Sequence, residues 1–250
     1  MTVAIVTGAA GGLGREIVRL LHEDGAAVVA EDIDPAVAEL AGERIAPLQG
    51  DVAQTATARR AVALALERFG GLDVLVNNAA RFLYKPIADT TDEEFDGLIA
   101  SNVRGAFVHC REALPALLGG GTQPTSSAGT GGAIVNIASI SGVVGLPDQT
   151  AYCVTKGAIV QLTRQLAVQY ARQGVRVNAV SPGAIDTAFV ERSLGLEWQP
   201  GRMEQIGDLH PMGRVATPAE IAETVVFLAS SRASFVTGAI LAADGGYTAA

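Results

Sequence analysis

Cysteine is nearly missing from this sequence, with only Cys110 and Cys153 among 250 residues. That excludes a disulfide framework and leaves too few thiolates for a metal cluster, so no metal is expected. Two reduced, buried thiols are the expectation instead. Histidine is equally sparse. His22, His109 and His210 have no partners at ligand spacing, and each reads as structural or surface. Neither an HExxH nor a GxSxG pattern occurs, so metalloprotease and hydrolase chemistry find no footing. Apolar residues make up 49% of the chain, yet no apolar run reaches the roughly 18 residues of a membrane span. The first residues lack the basic region of a signal peptide, which makes the cytoplasm the expected location. Positive charge is short too. Lys and Arg number 18 against 26 Asp and Glu, a net charge of −8. That is the wrong sign for nucleic acid or an anionic membrane as partner, and a small molecule remains.

What the sequence does have is length for a large core and a strict alternation of patterns. Short β-branched runs predict strands at Thr2–Thr7, Ala27–Glu31, Arg44–Gln49, Asp73–Asn77, Ala133–Ala138, Arg176–Val180 and Ala239–Ala242. Several are apolar at consecutive positions, which suits strands covered on both faces of a parallel sheet. Helical patterns fall between them at Gly12–Glu23, Ala36–Glu43, Ala56–Phe69, Asp92–Leu118, Ala151–Gln173 and Pro218–Ala229. Thr217, Pro218 and Glu220 make a capping signature for the last of these. The alternation predicts an α/β fold: a doubly wound, Rossmann-type parallel sheet of about seven strands with helices on both faces. No repeat or linker divides residues 1–250, so one domain is expected. Gly119–Gly132, rich in Gly, Ser and Thr, reads as a surface loop. Asp186–Val215 is too long for a plain connection and reads as a lid over substrate.

The first predicted strand runs into Thr7-Gly8-Ala9-Ala10-Gly11-Gly12-Leu13-Gly14 and then a helix. A pyrophosphate needs close backbone approach and a helix N-terminus facing it, and Gly8, Gly12 and Gly14 would admit it. A glycine cluster alone is weak evidence; a strand before it and a helix after it strengthen the reading. Asp32, followed by Ile33, ends the second strand 18 residues beyond Gly14. A carboxylate there would accept hydrogen bonds from the adenosine ribose and repel a 2′-phosphate. NAD is therefore expected over NADP. Arg15 could soften that repulsion, but solvent is the simpler place for it.

Tyr152 and Lys156 stand four apart on a predicted helix and so share one face. An ammonium beside a phenol favours the phenolate, and a phenol so tuned can give a proton to a carbonyl oxygen and take it back. Without the glycine turn the two would read as an ordinary exposed pair.

In this order and spacing the motifs resemble those of the short-chain dehydrogenase/reductase family, over essentially the whole chain. They are Thr7-Gly8-x-x-x-Gly12-x-Gly14, Asp51-Val52, Asn77-Asn78-Ala79, Asn102, Ser139, Tyr152-x-x-x-Lys156, Asn178-x-x-Ser181-Pro182-Gly183 and Asp244-Gly245-Gly246. Ala80 departs from the family's glycine. The resemblance implies hydride transfer between a nicotinamide dinucleotide and a secondary alcohol or ketone, with Asn102, Ser139, Tyr152 and Lys156 catalytic. Ser139 would bond the substrate oxygen, Lys156 would also hold the nicotinamide ribose, and Asn102 would anchor a water linking Lys156 to solvent. Asp51 and Val52 would flank the adenine. Asn78 and Ala79 would line the cofactor path. Pro182, Gly183, Ile185 and Thr187 would border the nicotinamide.

Candidate substrate residues such as Phe82, Leu146, Phe189, Leu194 and Trp198 are mostly apolar. They lean toward a medium-sized cyclic or aliphatic substrate over a highly charged one; Arg81 could pair with an acidic substrate or simply be solvated. The long helices are apolar on several sides, and the family places two interfaces there and at the C-terminal strand, so a homotetramer is expected. A non-catalytic dinucleotide-binding regulator is the alternative, but it has no need of Ser139, Tyr152 and Lys156 together. An epimerase or dehydratase would normally need a longer C-terminal substrate domain.

Overall fold

In a computed structural model, residues 1–119, 131–187 and 202–249 are described. Seven strands, β1 (Val3–Thr7), β2 (Ala27–Asp32), β3 (Ile45–Gln49), β4 (Val74–Asn77), β5 (Ala133–Ile137), β6 (Arg176–Pro182) and β7 (Ile240–Ala243), form one sheet. Its order is β3-β2-β1-β4-β5-β6-β7 and every pairing is parallel. Every residue of β1, β4, β5 and β6 is buried, which is why these strands carry apolar residues at consecutive positions rather than alternating ones.

The helices are α1 (Gly12–Glu23), α2 (Thr55–Phe69), α3 (Asp92–Leu98), α4 (Gly105–Leu118), α5 (Thr150–Tyr170), α6 (Arg202–Gly207) and α7 (Pro218–Ala229). One face of the sheet packs Val6, Val28, Ala30 and Val76 against Ile17 and Leu21 of α1 and Ile221 and Val225 of α7. The other packs Ile5, Val29, Leu75 and Ile134 against Ala61 of α2, Ala113 and Leu117 of α4 and Ala167 of α5. Thr217 and Glu220 close the expected capping box, with Pro218 in the first turn of α7. Chain order reverses between β1 and β4, so a crevice opens at the carboxyl ends of these strands.

Two predicted helices differ from the sequence reading. Ala36–Glu43 is instead a short 3₁₀ turn, Pro35–Leu40, capped by the Asp34 carboxylate on the Ala36 N–H. Gly42 and the start of β3 at Ile45 leave no room for a longer helix. Asp92–Leu118 is not one α-helix: a π-helical turn, Ile99–Arg104, separates α3 from α4. Such turns mark places where a helix re-aims a side chain, and Asn102 lies buried in this one. The loop expected at Gly119–Gly132 falls mostly outside the described residues.

Candidate active site

The carboxyl edge of the sheet changes character abruptly. Behind an apolar interior, Thr7, Glu31, Asn77 and Asn136 stand last or next to last in four neighbouring strands, all buried. Thr7 Oγ1 accepts the Asn78 and Ala79 N–H groups at 3.0 and 3.1 Å. Asn78 Nδ2 returns bonds to the Thr7 and Gly8 carbonyls, both at 3.0 Å. The glycine turn is thus tied to the end of β4.

Gly8 takes a φ of +68°, a conformation that L side chains rarely adopt. A Cβ there would lie 2.8 Å from the Ala79 Cα, and one at Gly14 would collide with the Gly8 carbonyl. These two glycines let the turn close on itself, rather than only making room for a phosphate. Gly12 faces outward under Thr187, whose Cγ2 would lie 3.0 Å from its Cβ. Gly11 precedes α1 without a side-chain cap, so the helix N-terminus keeps the N–H groups that suit a pyrophosphate. Leu13 begins the buried face of α1.

Asp32 accepts the Ala10 N–H and the Asp34 N–H, one per carboxylate oxygen, each at 2.9 Å. Each oxygen keeps a second acceptor site for a ribose diol. Ile33 beside it is exposed. Arg15 does not simply point to solvent. Its Nε bonds the Ala10 carbonyl at 2.9 Å and its Nη2 pairs with Glu39 at 3.0 Å. Its charge is thereby matched within the chain and is not left to balance a phosphate. Asp51 closes a turn onto the Ala53 N–H at 2.9 Å. Val52 packs against Gly105 so closely that a Cβ there would meet its Cγ2 at 3.0 Å.

Ser139 lies just beyond β5, and Tyr152 and Lys156 lie in the first two turns of α5. Three groups are drawn together on this side: the Ser139 hydroxyl lies close enough to the Tyr152 phenol to favour its ionised form, and Lys156 Nζ lies 5.6 Å from the Tyr152 ring centre. The Phe82 ring packs edge-on to Tyr152 with centres 4.6 Å apart. Electrostatics here run against the sequence expectation. Burial pushes the Tyr152 phenol above its ordinary pKa, and the nearby Ser139 hydroxyl only partly offsets this. Burial also lowers Lys156 to about 8. The ammonium is spent on the Ile137 carbonyl at 2.7 Å, so in the chain alone it does not draw the phenol down. The i,i+4 spacing shows that the two groups share a face, but it carries no information about burial.

Asn102 is fully engaged. Its Oδ1 accepts from the Arg81 N–H and the Ser101 hydroxyl, both at 2.7 Å. Its Nδ2 donates to the Arg81 carbonyl at 2.8 Å and to Thr155 Oγ1 at 3.1 Å. All four valences of the amide are taken, which leaves the main chain as the place to hold a water. Thr155 then donates to the Tyr152 carbonyl at 2.8 Å, so Asn102 buttresses α5 through a residue the sequence reading passed over. A second overlooked chain runs from Ser139 Oγ to Ser141 Oγ at 3.2 Å and on to Gln149 Oε1 at 2.9 Å. The signal for both was proximity to Tyr152 in sequence.

Pro182 ends β6, and a Cβ on Gly183 would meet His210 Nε2 at 2.6 Å. His210 is a buried strut: Nε2 accepts the Ala184 N–H at 3.2 Å and Nδ1 bonds the Ile206 carbonyl at 2.9 Å. Ile185 forms a parallel bridge to Ala216, so the segment between them leaves and returns at one point. Residues 188–201, with Phe189, Leu194 and Trp198, lie outside the described residues. Ala80 sits in ordinary backbone, since Asp148 is the lone non-glycine with positive φ among the described residues. No group of three or more His, Cys, Asp or Glu that could hold a metal occurs among the described residues. No described helix is long and apolar enough to cross a membrane.

Comparison with known proteins extends this picture along the whole chain. Residues 8–248 match a family model described as enoyl-(acyl carrier protein) reductase. The chain is 40% identical to a 2,5-dichloro-2,5-cyclohexadiene-1,4-diol dehydrogenase of Sphingobium indicum, over 98% of this chain and 96% of that one. It is 38% identical to a 2-(R)-hydroxypropyl-CoM dehydrogenase of Xanthobacter autotrophicus, over 99% and 98%. Among solved structures, a 3-ketoacyl-(acyl-carrier-protein) reductase of Brucella melitensis complexed with NADH superposes with a TM-score of 0.89. It has 31% identity, with 99% of this chain and 98% of that one covered. Likeness of this extent in sequence and in fold has one reading: the chain belongs to the short-chain dehydrogenase/reductase family.

Proposed function

We propose that this enzyme moves a hydride between NAD(H) and a secondary alcohol or its ketone, with Tyr152 exchanging the proton. The observation that carries the reading is the placing of Ser139 beside the Tyr152 phenol at the crevice, with Lys156 buried one turn further along α5. A nicotinamide dinucleotide, when bound, supplies or receives the hydride. The chain's own residues do the rest. The N-terminus of α1 with Gly8, Gly12, Leu13 and Gly14 holds the pyrophosphate. Asp32 and Ile33 take the adenosine ribose, and Asp51 and Val52 the adenine. Asn78, Ala79, Pro182, Gly183, Ile185 and Thr187 border the nicotinamide half, the last of them over Gly12. In reduction the Tyr152 phenol gives its proton to the carbonyl oxygen while Ser139 donates a second bond to it. In oxidation the proton returns to Tyr152. Lys156 also holds ribose hydroxyls, and Asn102 steadies α5. A non-catalytic dinucleotide-binding role has no feature of the site in its favour.

NAD is the preferred form on this reading, because Asp32 would lose its ribose bonds and face a 2′-phosphate, with Arg15 already paired to Glu39. The substrate is a medium-sized cyclic or aliphatic secondary alcohol, in keeping with the cyclic diol and the hydroxypropyl-CoM named for the two relatives. Residues 1–250 act as one domain, with 186–215 as the substrate lid between the bridged Ile185 and Ala216. We place it in the cytoplasm as a homotetramer. Two separate apolar surfaces support the assembly: Phe107, Val154 and Val168 on α4 and α5, and Phe235 and Leu241 by β7. The test is a screen of secondary alcohols with each dinucleotide, read at the reduced-nicotinamide absorbance, with light scattering for mass. Turnover with NAD and a cyclic or aliphatic alcohol is expected. Equal efficiency with NADP would overturn the preference, and a monomeric mass would overturn the assembly.

A further inference from the structure

Glu31 and His109 take no part in the chemistry above, yet they form a buried ion pair with each side chain 1% exposed. His109 Nε2 lies 2.9 Å from Glu31 Oε2, and Nδ1 lies 2.9 Å from the Gly105 carbonyl oxygen. Nδ1 faces a carbonyl that can only accept, so it carries a proton, and a second proton lies between Nε2 and Glu31. Burial alone would lower the pKa of this histidine, but the Glu31 bond, the Glu31 charge and the Gly105 carbonyl together raise it. Glu31 Oε1 has no hydrogen-bond partner among the described residues.

Fold stability does not call for such a pair, since well-packed apolar side chains serve as well or better. What the pair joins is specific. The Glu31 carbonyl accepts the Ala9 N–H at 2.9 Å, and the next residue, Asp32, accepts the Ala10 N–H. The end of β2 therefore carries the glycine turn. At the other end of the bridge, Gly105 is the residue on which Val52 rests. His109 links the strand that bears Asp32 to the helix that backs Val52, and these are the two walls of the adenosine end.

We propose that the Glu31–His109 pair is a positioning pair for the adenosine half of the dinucleotide site. It fixes Asp32, the glycine turn and Val52 relative to one another, and its loss weakens cofactor binding without slowing turnover at saturating cofactor. The proposal rests on the dinucleotide reading above. The test uses Glu31→Leu, Glu31→Gln and the double variant Glu31→Leu/His109→Leu. Three quantities are measured: cofactor Kd by calorimetry, amide exchange of Ala9 and Ala10 in the free protein, and kcat at saturation. Glu31→Leu should raise Kd about tenfold, as a buried group left without its partner does, and speed exchange at Ala9 and Ala10. Glu31→Gln keeps the bridge, since its amide can donate to Nε2 while Nδ1–H stays on Gly105. Its Kd should stay within about threefold of wild type. The double variant, with an apolar pair, folds even if Glu31→Leu does not, and should bind as weakly. Wild-type Kd and exchange in either leucine variant overturn the proposal, as does a kcat that falls in step with affinity. If the unaltered protein binds neither dinucleotide, the dinucleotide reading itself fails.

Discussion

The two ends of the crevice are built on opposite terms. At the β1–β2 end the functional polar atoms already have partners inside the chain. Asn78 holds Thr7 and Gly8, Thr7 holds Asn78 and Ala79, and Asp32 holds Ala10 and Asp34. That end is tied together by bonds within the chain itself. At the β5–α5 end, ionisable groups are buried with little to compensate them. Lys156 Nζ has the Ile137 carbonyl, Tyr152 has Ser139 near it, and burial favours the neutral form of each. On the proposed function, recognition falls to satisfied backbone and short side chains, and chemistry to groups kept away from their ordinary charge states. Perturbed groups gather where protons move.

The largest effect that would test this contrast is loss of the proton path alone. Tyr152→Phe should cut turnover on the order of 10³-fold, the scale of positioned acid–base catalysis. Cofactor Kd should not change, because the ring still packs on Phe82 and the β1–β2 end is untouched. Near-normal turnover would mean that another group donates the proton. At the other end, Asp32→Ser should leave kcat alone and erode the preference for NAD by on the order of 10²-fold, the worth of two charge-assisted bonds plus a repulsion. An unchanged NAD-to-NADP ratio of kcat/KM would remove Asp32 from the specificity argument.

A smaller effect concerns pH, and it separates the two directions of the reaction. Reduction needs the neutral phenol, and burial keeps Tyr152 neutral through the physiological range. Its rate should be flat between pH 6 and 8 to first order. Oxidation needs the ionised phenol, whose population grows about tenfold per pH unit below its pKa. Oxidation at saturating cofactor should therefore climb with pH over the same range. Parallel profiles in the two directions would show that the Tyr152 proton does not limit either.

Much of this was legible in the sequence where the signal is local. The glycine turn, the seven strands and the Tyr152–Lys156 spacing are contiguous patterns, and the chain brings them together at one edge of the sheet. What was not legible depends on distant partners. His109 looked isolated because Glu31 lies 78 positions away. Arg15 looked solvated because Glu39 returns to it only through the 3₁₀ turn after β2. The helix through Asn102 looked uniform because its π turn involves Arg81 and Thr155, which lie on other elements. The direction of the Tyr152 shift was reversed for the same reason. Spacing reports the ammonium nearby, whereas burial comes from the whole fold.

Lys156 gives the subtlest test, because it asks whether the β5–α5 end is held at a cost to stability. Burial lowers its pKa from the ordinary 10.5 to about 8. Between those values the folded state binds fewer protons than the unfolded state, so stability rises with pH across that window. Below pH 8 both states carry the charge, and the folded one bears its full desolvation penalty. Lys156→Met keeps the apolar stem and removes the charge, at the loss of the bond to Ile137. The cofactor-free variant should gain about 2 kcal/mol at pH 7, or roughly 5 °C in Tm for a chain of this size. It should lose turnover at the same time. The gain should shrink as pH is raised from 8 toward 10.5, because the wild-type lysine is then neutral in the fold. A Tm below wild type at pH 7, or a difference that does not narrow with pH, would mean that the Ile137 bond outweighs the buried charge. The two ends of the crevice would then be equally well satisfied.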